Sequence, residues 1–519
     1  MERKWWTLLA VCLGMLMLLL DITIVNVALP SIASDLGASF SDLQWTIDAY
    51  AVSLAALMLV SGSLGDLLGH RTVFAGGLAI FSVSSLLCGL ASDPLFLNIC
   101  RAVQGIGGAA MFATSLALIA QEFRGRERGT ALGIWGATAG ASVAVGPLIG
   151  GALTTGINWR WVFIVNVPIG ALTLWLVLAK VAETRRRKVR PDWPGAVAFS
   201  GALFALVYAL IRGNPDGWSS TGVVTAFAAA AVLLVAFVGI ERVRRDPMLE
   251  LGLLRRPAVV GASLGAIALA ASLFSMLLYI TLYLQGILGY SAFQAGLRFL
   301  PLTLLVLLVA PAAGKLSSHV PIRLLLAAGL GLVAAGLALM TLVSPSSGWT
   351  ALLAGFIVAG AGSGLTNPPL ASAAIGTVPE EKAGVGSGVN NTARQVGIAA
   401  GIAALGAIFQ SRVHEVLGER LAQLGPQLGA HRQAIAHQAA TGNPADVLHS
   451  LPPSLRAPVA DALHVAFVSG FDRILWIAAA ISLAGAIVSL VLVHQRDIEV
   501  RVDEPSLASK GQLSDVRAY

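Results

Sequence analysis

The feature that most constrains this chain is a succession of fourteen apolar runs, each close to the length that a membrane-spanning helix needs. About 20 apolar residues in a helix cross the hydrocarbon core of a bilayer. The runs therefore predict an all-α polytopic membrane protein with fourteen transmembrane helices. They occupy residues 7–30, 43–65, 71–91, 95–120, 129–154, 159–182, 194–213, 221–240, 258–284, 297–314, 322–343, 350–374, 386–410 and 471–493.

The composition excludes several other classes of protein. Of the 519 residues, 56% are hydrophobic and 12% are charged, whereas about a quarter are charged in a usual soluble chain. The net charge of +7 is spread over short stretches between the runs, so we expect no nucleic-acid partner, which would need one basic surface. The three cysteines lie inside apolar runs without a CxxC pair, and neither a metal site nor a disulfide is predicted.

Basic residues are concentrated in alternate loops. They cluster between runs four and five, six and seven, and eight and nine. Cytoplasmic loops carry the excess of Lys and Arg in membrane proteins. The pattern predicts that both termini are cytoplasmic.

The two halves of the chain contain a repeat. Gly62 and Arg71 stand nine residues apart, and Gly314 and Arg323 repeat that spacing. Internal repeats that face each other across a cavity are typical of secondary transporters with alternating access. We predict two pseudo-symmetric six-helix bundles plus two inserted helices. The expected segments are an N-terminal bundle (1–182), a linker with the inserted helices (183–257), a C-terminal bundle (258–493) and a cytoplasmic tail (494–519).

Three of the charged residues within the runs are candidates for proton coupling, because a charge inside a membrane is costly and marks a functional residue. Asp21 is midway along run one and is predicted to bind protons; a permanent structural ion pair is the alternative. Asp48 is predicted to assist proton passage or bind a cation, or else to be a wetted interfacial acid. Arg101 is predicted to assist coupling, with a clamp on backbone carbonyls as the alternative. Its counterpart in the second half is Phe356, so the fold itself does not require an arginine.

The short loop between runs two and three combines glycines, an acid and an arginine. An acid there can pair with a basic residue or cap a helix, and so hold two helices together. We predict a conformational latch, with Glu122, Arg124 and Arg126 as candidate contacts; a tight polar turn is the alternative. The latch residues are Gly62, Asp66, Gly69 and Arg71.

Run five is rich in glycine and contains a proline. Small residues four apart let helices approach closely, and Pro147 predicts a kink. Such a helix is a candidate seal against proton leakage between the bundles, with ordinary helix packing as the alternative. The motif residues are Gly140, Gly146, Pro147 and Gly150.

Polar and aromatic side chains inside the runs are candidates for substrate contacts, because such groups line ligand cavities. Alternatively, each joins helices by hydrogen bonds. Runs nine to thirteen contain no Asp or Glu, so we assign proton coupling to the first half. The substrate candidates are Asn26, Trp45, Tyr50, Gln104, Tyr279, Tyr283, Asn367, Asn391 and Arg394.

The segment 411–465 is long and polar, and it contains five of the eight histidines. A metal site or a pH sensor is conceivable there, but the histidines lack ligand-like spacing. We expect a partly helical external loop.

These motifs together resemble the 14-helix drug:proton antiporters of the major facilitator superfamily, over nearly the whole chain. The resemblance rests on LDITIVNVALP, GSLGDLLGHR, RAVQGIGGAA and GASVAVGPLIGG, which begin at Leu20, Gly62, Arg101 and Gly140. It implies a major facilitator fold and the export of lipophilic or cationic drugs in exchange for protons across a bacterial plasma membrane.

By motif position, the resemblance implies proton coupling at Asp21 with assistance from Arg101. It also implies that Asp66 and Arg71 control the conformational change. Asp48 matches the acid that some multidrug members carry in a WxxDxY stretch. The absence of acids from runs nine to thirteen disfavours export of divalent cations.

Other functions remain open at this point. One is export of a lipid, a siderophore or a single endogenous antibiotic; another is proton-coupled uptake of a nutrient. A membrane enzyme would need a His/Asp or Ser/His cluster at the membrane surface, which the sequence does not contain, so we expect no enzymatic activity. We further expect the proton gradient to be the energy source without a cofactor, and the chain to be a monomer in the bilayer.

Overall fold

The computed structural model describes residues 2–123, 125–183, 192–244, 247, 249, 251–252, 255–317, 319–376, 383–423 and 452–494. Within these ranges, every regular element is helical. Twelve helices are long and apolar enough to cross a membrane, and two bent pairs bring the number of spans to fourteen. This confirms the predicted all-α, polytopic fold.

We number the spans α1 to α14. They are α1 (Arg3–Leu36), α2 (Phe40–Leu68), α3 (His70–Gly89), α4 (Pro94–Glu122), α5 (Gly125–Gly156), α6 (Trp161–Lys180), α7 (Trp193–Asp216), α8 (Thr221–Val243), α9 (Pro257–Ile287), α10 (Ala292–Leu316), α11 (Ile322–Met340), α12 (Leu353–Gly376), α13 (Ala383–Gln423) and α14 (Pro453–Leu492). We call the face at which α1 begins the N-terminal face, and the other the opposite face.

The packing follows the sequence repeat. In the first six helices, α2 and α3 both pack on α4, and α1 packs on α5; in the last six, α10 and α11 both pack on α12, and α9 packs on α13. The two sets meet where α5 packs on α10 and α2 packs on α13. These two contacts are also related by the repeat, and they form the seam between the bundles.

Local sequence explains where several helices begin and bend. Ser39 and Asp42 form a capping box at the start of α2, which satisfies backbone N–H groups that the first turn leaves free. Asp93 caps α4 by accepting the backbone N–H of Phe96 at 2.9 Å. Helix α5 bends by 42° between Ser142 and Val145, just before Pro147, whose ring clashes with the preceding turn. The predicted kink is therefore present.

The two inserted helices differ in their surroundings. Helix α7 packs on α2 of the first bundle and on α13 of the second. Its residues Leu203, Val207 and Ile211 are buried in the main apolar core. Helix α8 packs mainly on α7, and most of its surface is exposed.

The segment 411–465 continues the flanking helices. Helix α13 extends to Gln423, and α14 begins at Pro453. The rest of the segment, with His431, His437 and His449, lies outside the described residues.

Candidate functional site

A buried polar cluster joins four helices of the first bundle. The carboxylate Oδ2 of Asp21 on α1 lies 2.5 Å from Nη1 of Arg101 on α4. Gln104 Nε2 donates to Asp21 Oδ1 at 2.9 Å, and Asn166 Nδ2 of α6 donates to the same oxygen at 3.3 Å. Asp21 and Gln104 have no exposed surface, and Arg101 is 1% exposed. The buried carboxylate thus has one cation and two amide donors as partners.

The guanidinium of Arg101 is held by further contacts. Its Nε donates to the backbone carbonyl of Thr46 on α2 at 2.9 Å, and its Nη1 donates to Gln104 at 2.8 Å. The ring of Tyr50 lies under the guanidinium, 4.3 Å from centroid to Cζ. This contact adds a cation–π attraction. Tyr50 and Gln104, which are predicted substrate residues, therefore surround the ion pair.

Helical spacing explains part of this cluster. Arg101 and Gln104 are three residues apart, so they share one face of α4. Asn166 lies where the helical path of α6 is interrupted at Val165, and it also donates to Ser85 Oγ at 3.0 Å. Asn166 is not among the residues predicted from the sequence. The available signal was its place in the WRWVFIVNVPIG stretch that follows the glycine-rich motif.

Asp48 lies in a different environment, at the seam. It is fully buried, and neither carboxylate oxygen has a hydrogen-bond partner among the described residues. Gln44 lies one turn before it on α2 and donates to the carbonyl of Ile402 on α13 at 3.1 Å. Tyr279 of α9 donates to the same carbonyl at 2.8 Å. Asp48 therefore shares a helix face with the contact that joins the bundles.

The bundles are in contact in the half near the opposite face. Besides the Gln44 bond, Gln285 Nε2 donates to the carbonyl of Val27 at 2.7 Å. The backbone N–H of Phe293 donates to Thr155 Oγ1 at 3.0 Å. These bonds join the helix ends at that face, so the described arrangement is closed there.

The remaining aromatic and amide candidates of the first half and of α9 have packed surroundings. Trp45 packs on Phe204 of α7, with 5.2 Å between ring centroids. Asn26 donates to the carbonyl of Ile22 in its own helix at 2.8 Å. Tyr283 stacks on Phe471 of α14 at 5.3 Å. Tyr279, as described above, bonds across the second bundle.

Three predicted residues of the second bundle lie on α12 and α13. Arg394 Nη2 donates to Asn367 Oδ1, and its guanidinium lies 5.1 Å from the ring of Phe274. Asn391 is half-buried, one turn from Arg394 on α13. The structure thus brings Asn367 and Arg394 together, whereas their distance along the sequence is 27 residues.

The predicted latch is docked within the first bundle. Arg71 donates to the carbonyls of Val177 and Leu178 at 3.3 and 2.6 Å, at the end of α6. Glu183, which is not among the predicted residues, accepts from the backbone N–H of Arg71 at 3.2 Å. Gly69 has a φ of +98°, and a Cβ there would overlap the Glu183 carboxylate. Only glycine both adopts this positive φ readily and leaves room for the carboxylate.

The acid of the latch lies near a histidine that was not among the candidate contacts. Asp66 Oδ1 lies 3.6 Å from His70 Nε2, one turn further on. Of the candidate contacts, Glu122 lies 3.5 Å from Arg3. Arg124, together with the side chain of Arg126, lies outside the described residues. Gly62 has open space around it.

The glycines of α5 contact two partners. A Cβ on Gly146 would overlap Thr23 of α1, and one on Gly150 would lie 2.7 Å from the carbonyl of Ile24. The carbonyl of Pro147 lies against Gly296 of α10, across the seam. Gly140 makes only an ordinary contact. Gly146 and Gly150 thus permit the close α1–α5 packing that positions Asp21.

No group of three or more His, Cys, Asp or Glu residues is arranged for a metal ion within the described parts of the chain. His414 Nδ1 lies 2.7 Å from the carbonyl of Gln410 in its own helix. His464 Nε2 is buried, and no described residue bonds to it.

Comparison with known proteins agrees with the fold and the motifs. The family model described as Major Facilitator Superfamily matches residues 11–402. The tetracenomycin C resistance and export protein of Streptomyces glaucescens is 34% identical over 94% of this chain and 91% of its own. The puromycin resistance protein of Streptomyces alboniger is 38% identical over 78% of this chain and 82% of its own.

A solved structure shares the fold. It is a bacterial homologue of the human lysosomal transporter Spinster, crystallised in an inward-facing and unoccupied conformation, with a TM-score of 0.60 and 18% identity. The likeness covers 96% of this chain and 99% of the other. The multi-pass helical architecture, the repeat-related packing and the family match lead to one conclusion. This chain belongs to the major facilitator superfamily.

Proposed function

We propose that this protein is a proton-driven efflux transporter that exports lipophilic or cationic small molecules from a bacterial cell. Relatives that are named as resistance and export proteins support the direction of transport. We place the protein in the plasma membrane, with both termini and the N-terminal face cytoplasmic. The basic loops at this face support that orientation.

The observation that carries the proposal is the buried pair of Asp21 and Arg101. An ionisable residue inside a membrane is costly and is usually retained for function. The pair holds the ionised carboxylate in an arrangement that is closed at the opposite, external face. Such an arrangement fits the stage of the cycle that follows proton release to the cytoplasm.

The proposed cycle couples two opposed movements. When the bundles rock and the site faces outward, an external proton neutralises Asp21 and releases its ion pair with Arg101. Return to the inward-facing arrangement releases that proton, and the recharged site favours the next substrate. Proton and substrate oppose each other in free energy, and such linkage is reciprocal.

Asp48 has a second role in this proposal. Its buried carboxyl group lies at the closed seam, and no described residue hydrogen-bonds to it. Burial without a partner disfavours the ionised form, so ionisation of Asp48 opposes closure. We infer that it takes part in proton passage or receives a cationic substrate when the seam opens. No cofactor or catalytic step is required, because the proton gradient supplies the energy.

The test is transport in proteoliposomes with an imposed pH gradient and ethidium as a lipophilic cationic probe. We expect gradient-driven transport by the wild type and its loss in Asp21→Asn. Asp216→Asn is the matched control, because this acid pairs with Arg212 at the surface, and it is expected to transport normally.

The outcomes separate the alternatives. Equal gradient-driven transport by the wild type and Asp21→Asn would refute coupling at Asp21. Ethidium movement in the same direction as the protons would instead indicate a symporter. Transport of a single antibiotic or lipid, with no movement of ethidium, would indicate a narrow exporter.

A further inference from the structure

A cavity of about 630 Å³ lies at the opposite face, apart from the Asp21 cluster. It is formed where the inserted helix α7 meets α13 and α14. One wall is apolar and includes Leu210, Ala404 and Ile408. The polar lining consists of Asn214, Trp218, Ser411, Arg412, Glu415 and Arg473.

The charges in this cavity leave one cation uncompensated. Arg412 lies 2.8 Å from Glu415 and donates to Ser469 at 3.0 Å. Arg473 is exposed, and in the parts of the chain that the structure describes it makes neither an ion pair nor a hydrogen bond. Among the described residues, the cavity therefore presents one guanidinium without a partner, beside a polar rim.

The cavity lies at the level of lipid headgroups. Helix α14 has 40 residues, and its rise of about 1.5 Å per residue makes it twice as long as a hydrocarbon core of about 30 Å. Arg473 lies about 29 Å from the end of this helix at Leu492. Trp218, just past the end of α7, is 47% exposed, and tryptophan is enriched at membrane–water interfaces.

Hydrogen bonds hold α7 and α13 together at the wall of the cavity. Asn214 of α7 donates to the carbonyl of Ala407 on α13, and Trp218 Nε1 donates to Asn214 Oδ1 at 3.0 Å. These bonds fix α7 against the second bundle at the cavity. An acyl chain can follow the apolar wall while a phosphate meets the guanidinium, because basic pockets between membrane helices recognise lipid headgroups.

We propose that this cavity binds one anionic phospholipid of the leaflet at the opposite face, with its phosphate on Arg473. The proposal is independent of what the transporter exports. Each arginine near a membrane surface contributes about 1 kcal/mol to the attraction of anionic lipid. Loss of Arg473 should thus weaken binding about fivefold.

The experiment is native mass spectrometry of the purified full chain, titrated with phosphatidylglycerol or with phosphatidylcholine. We expect the wild type to bind one phosphatidylglycerol molecule more tightly than the others, and Arg473→Gln to lose that preference. Arg420→Gln is the matched control, because Arg420 is exposed on the extension of α13 but does not line the cavity. Arg473→Lys retains the charge and should retain binding.

Further measurements test whether the bound phosphate belongs to a lipid or is free inorganic phosphate. Ala404→Phe fills the apolar wall without changing a charge, and it should also weaken lipid binding. Equal binding of phosphatidylglycerol by Arg473→Gln and the wild type would overturn the proposal, provided that both proteins elute as single species. Equal affinity for phosphatidylcholine, or displacement of the lipid by millimolar inorganic phosphate, would overturn the assignment to an anionic lipid.

Discussion

Gly146 of α5 lies against Thr23 of α1 so closely that a methyl group in place of its hydrogen would overlap the threonine side chain. This contact is two residues from Asp21, so the approach of α5 helps to set the position of the carboxylate. In membranes, such small-residue contacts replace the hydrophobic effect as a source of helix association.

Gly146→Ala is therefore expected to destabilise the first bundle. Forced overpacking costs about 1–3 kcal/mol, which should lower the thermal unfolding midpoint in detergent. Gly136→Ala is the control, because nothing lies within 4 Å of that position. Adding Thr23→Ala to Gly146→Ala should restore part of the loss. Equal midpoints for the two glycine variants would contradict the packing.

Removing one member of the Asp21–Arg101 pair should cost more than removing both. Arg101→Gln leaves a buried carboxylate without its cation, and breaking such pairs costs about 3–5 kcal/mol. The double variant Asp21→Asn/Arg101→Gln has no buried charge at this site. We expect its unfolding midpoint to lie above that of Arg101→Gln. The reverse order would show that the pair is not energetically coupled.

Replacing each buried aspartate by asparagine should change the thermal stability in opposite directions. Asp48 has no bonded partner among the described residues, and burial without a partner disfavours its ionised form. Asp48→Asn therefore removes an acid whose ionisation opposes closure of the seam. Asp21→Asn instead deprives Arg101 of its anion. We expect Asp48→Asn to match or exceed the wild type in thermal stability, and Asp21→Asn to fall below it. A large loss for Asp48→Asn would reveal a partner outside the described residues.

The latch glycines should also differ. Gly69→Ala places a side chain at a φ of +98° and into the Glu183 carboxylate. Gly62→Ala meets open space and replaces a helical glycine, which favours the helix by roughly 1 kcal/mol. We expect Gly69→Ala to lose most transport while Gly62→Ala keeps it, when both are compared at equal membrane abundance. Similar activities would imply that docking of this loop on α6 is dispensable.

The overall fold was accessible from sequence because run length and the internal repeat are strong signals in a membrane protein. Asp21 and Arg101 were accessible for a related reason, since charges stand out in apolar runs. The sequence did not predict directly that these two residues pair, because they lie 80 positions apart and no sequence pattern joins them. An ion pair of Asp21 was only the alternative to proton binding.

Side-chain directions were much less accessible. A helix that is apolar all round has no polar face to show which side meets a cavity. Tyr283 was therefore a plausible substrate candidate from the sequence. Only the structure shows that its ring stacks on Phe471. Asn166 was not predicted because it is an ordinary amide within run six. Glu183 was not predicted because it is a charged residue just after the end of that run.

The attachment of α7 to both bundles has a consequence for the speed of the transport cycle. Phe204 of α7 packs on Trp45 of the first bundle, while Asn214 is bonded to Ala407 of the second. Any rocking of one bundle against the other must shear one of these attachments. We therefore expect the strength of the aromatic contact and of the hydrogen bond to influence how fast the bundles move relative to each other.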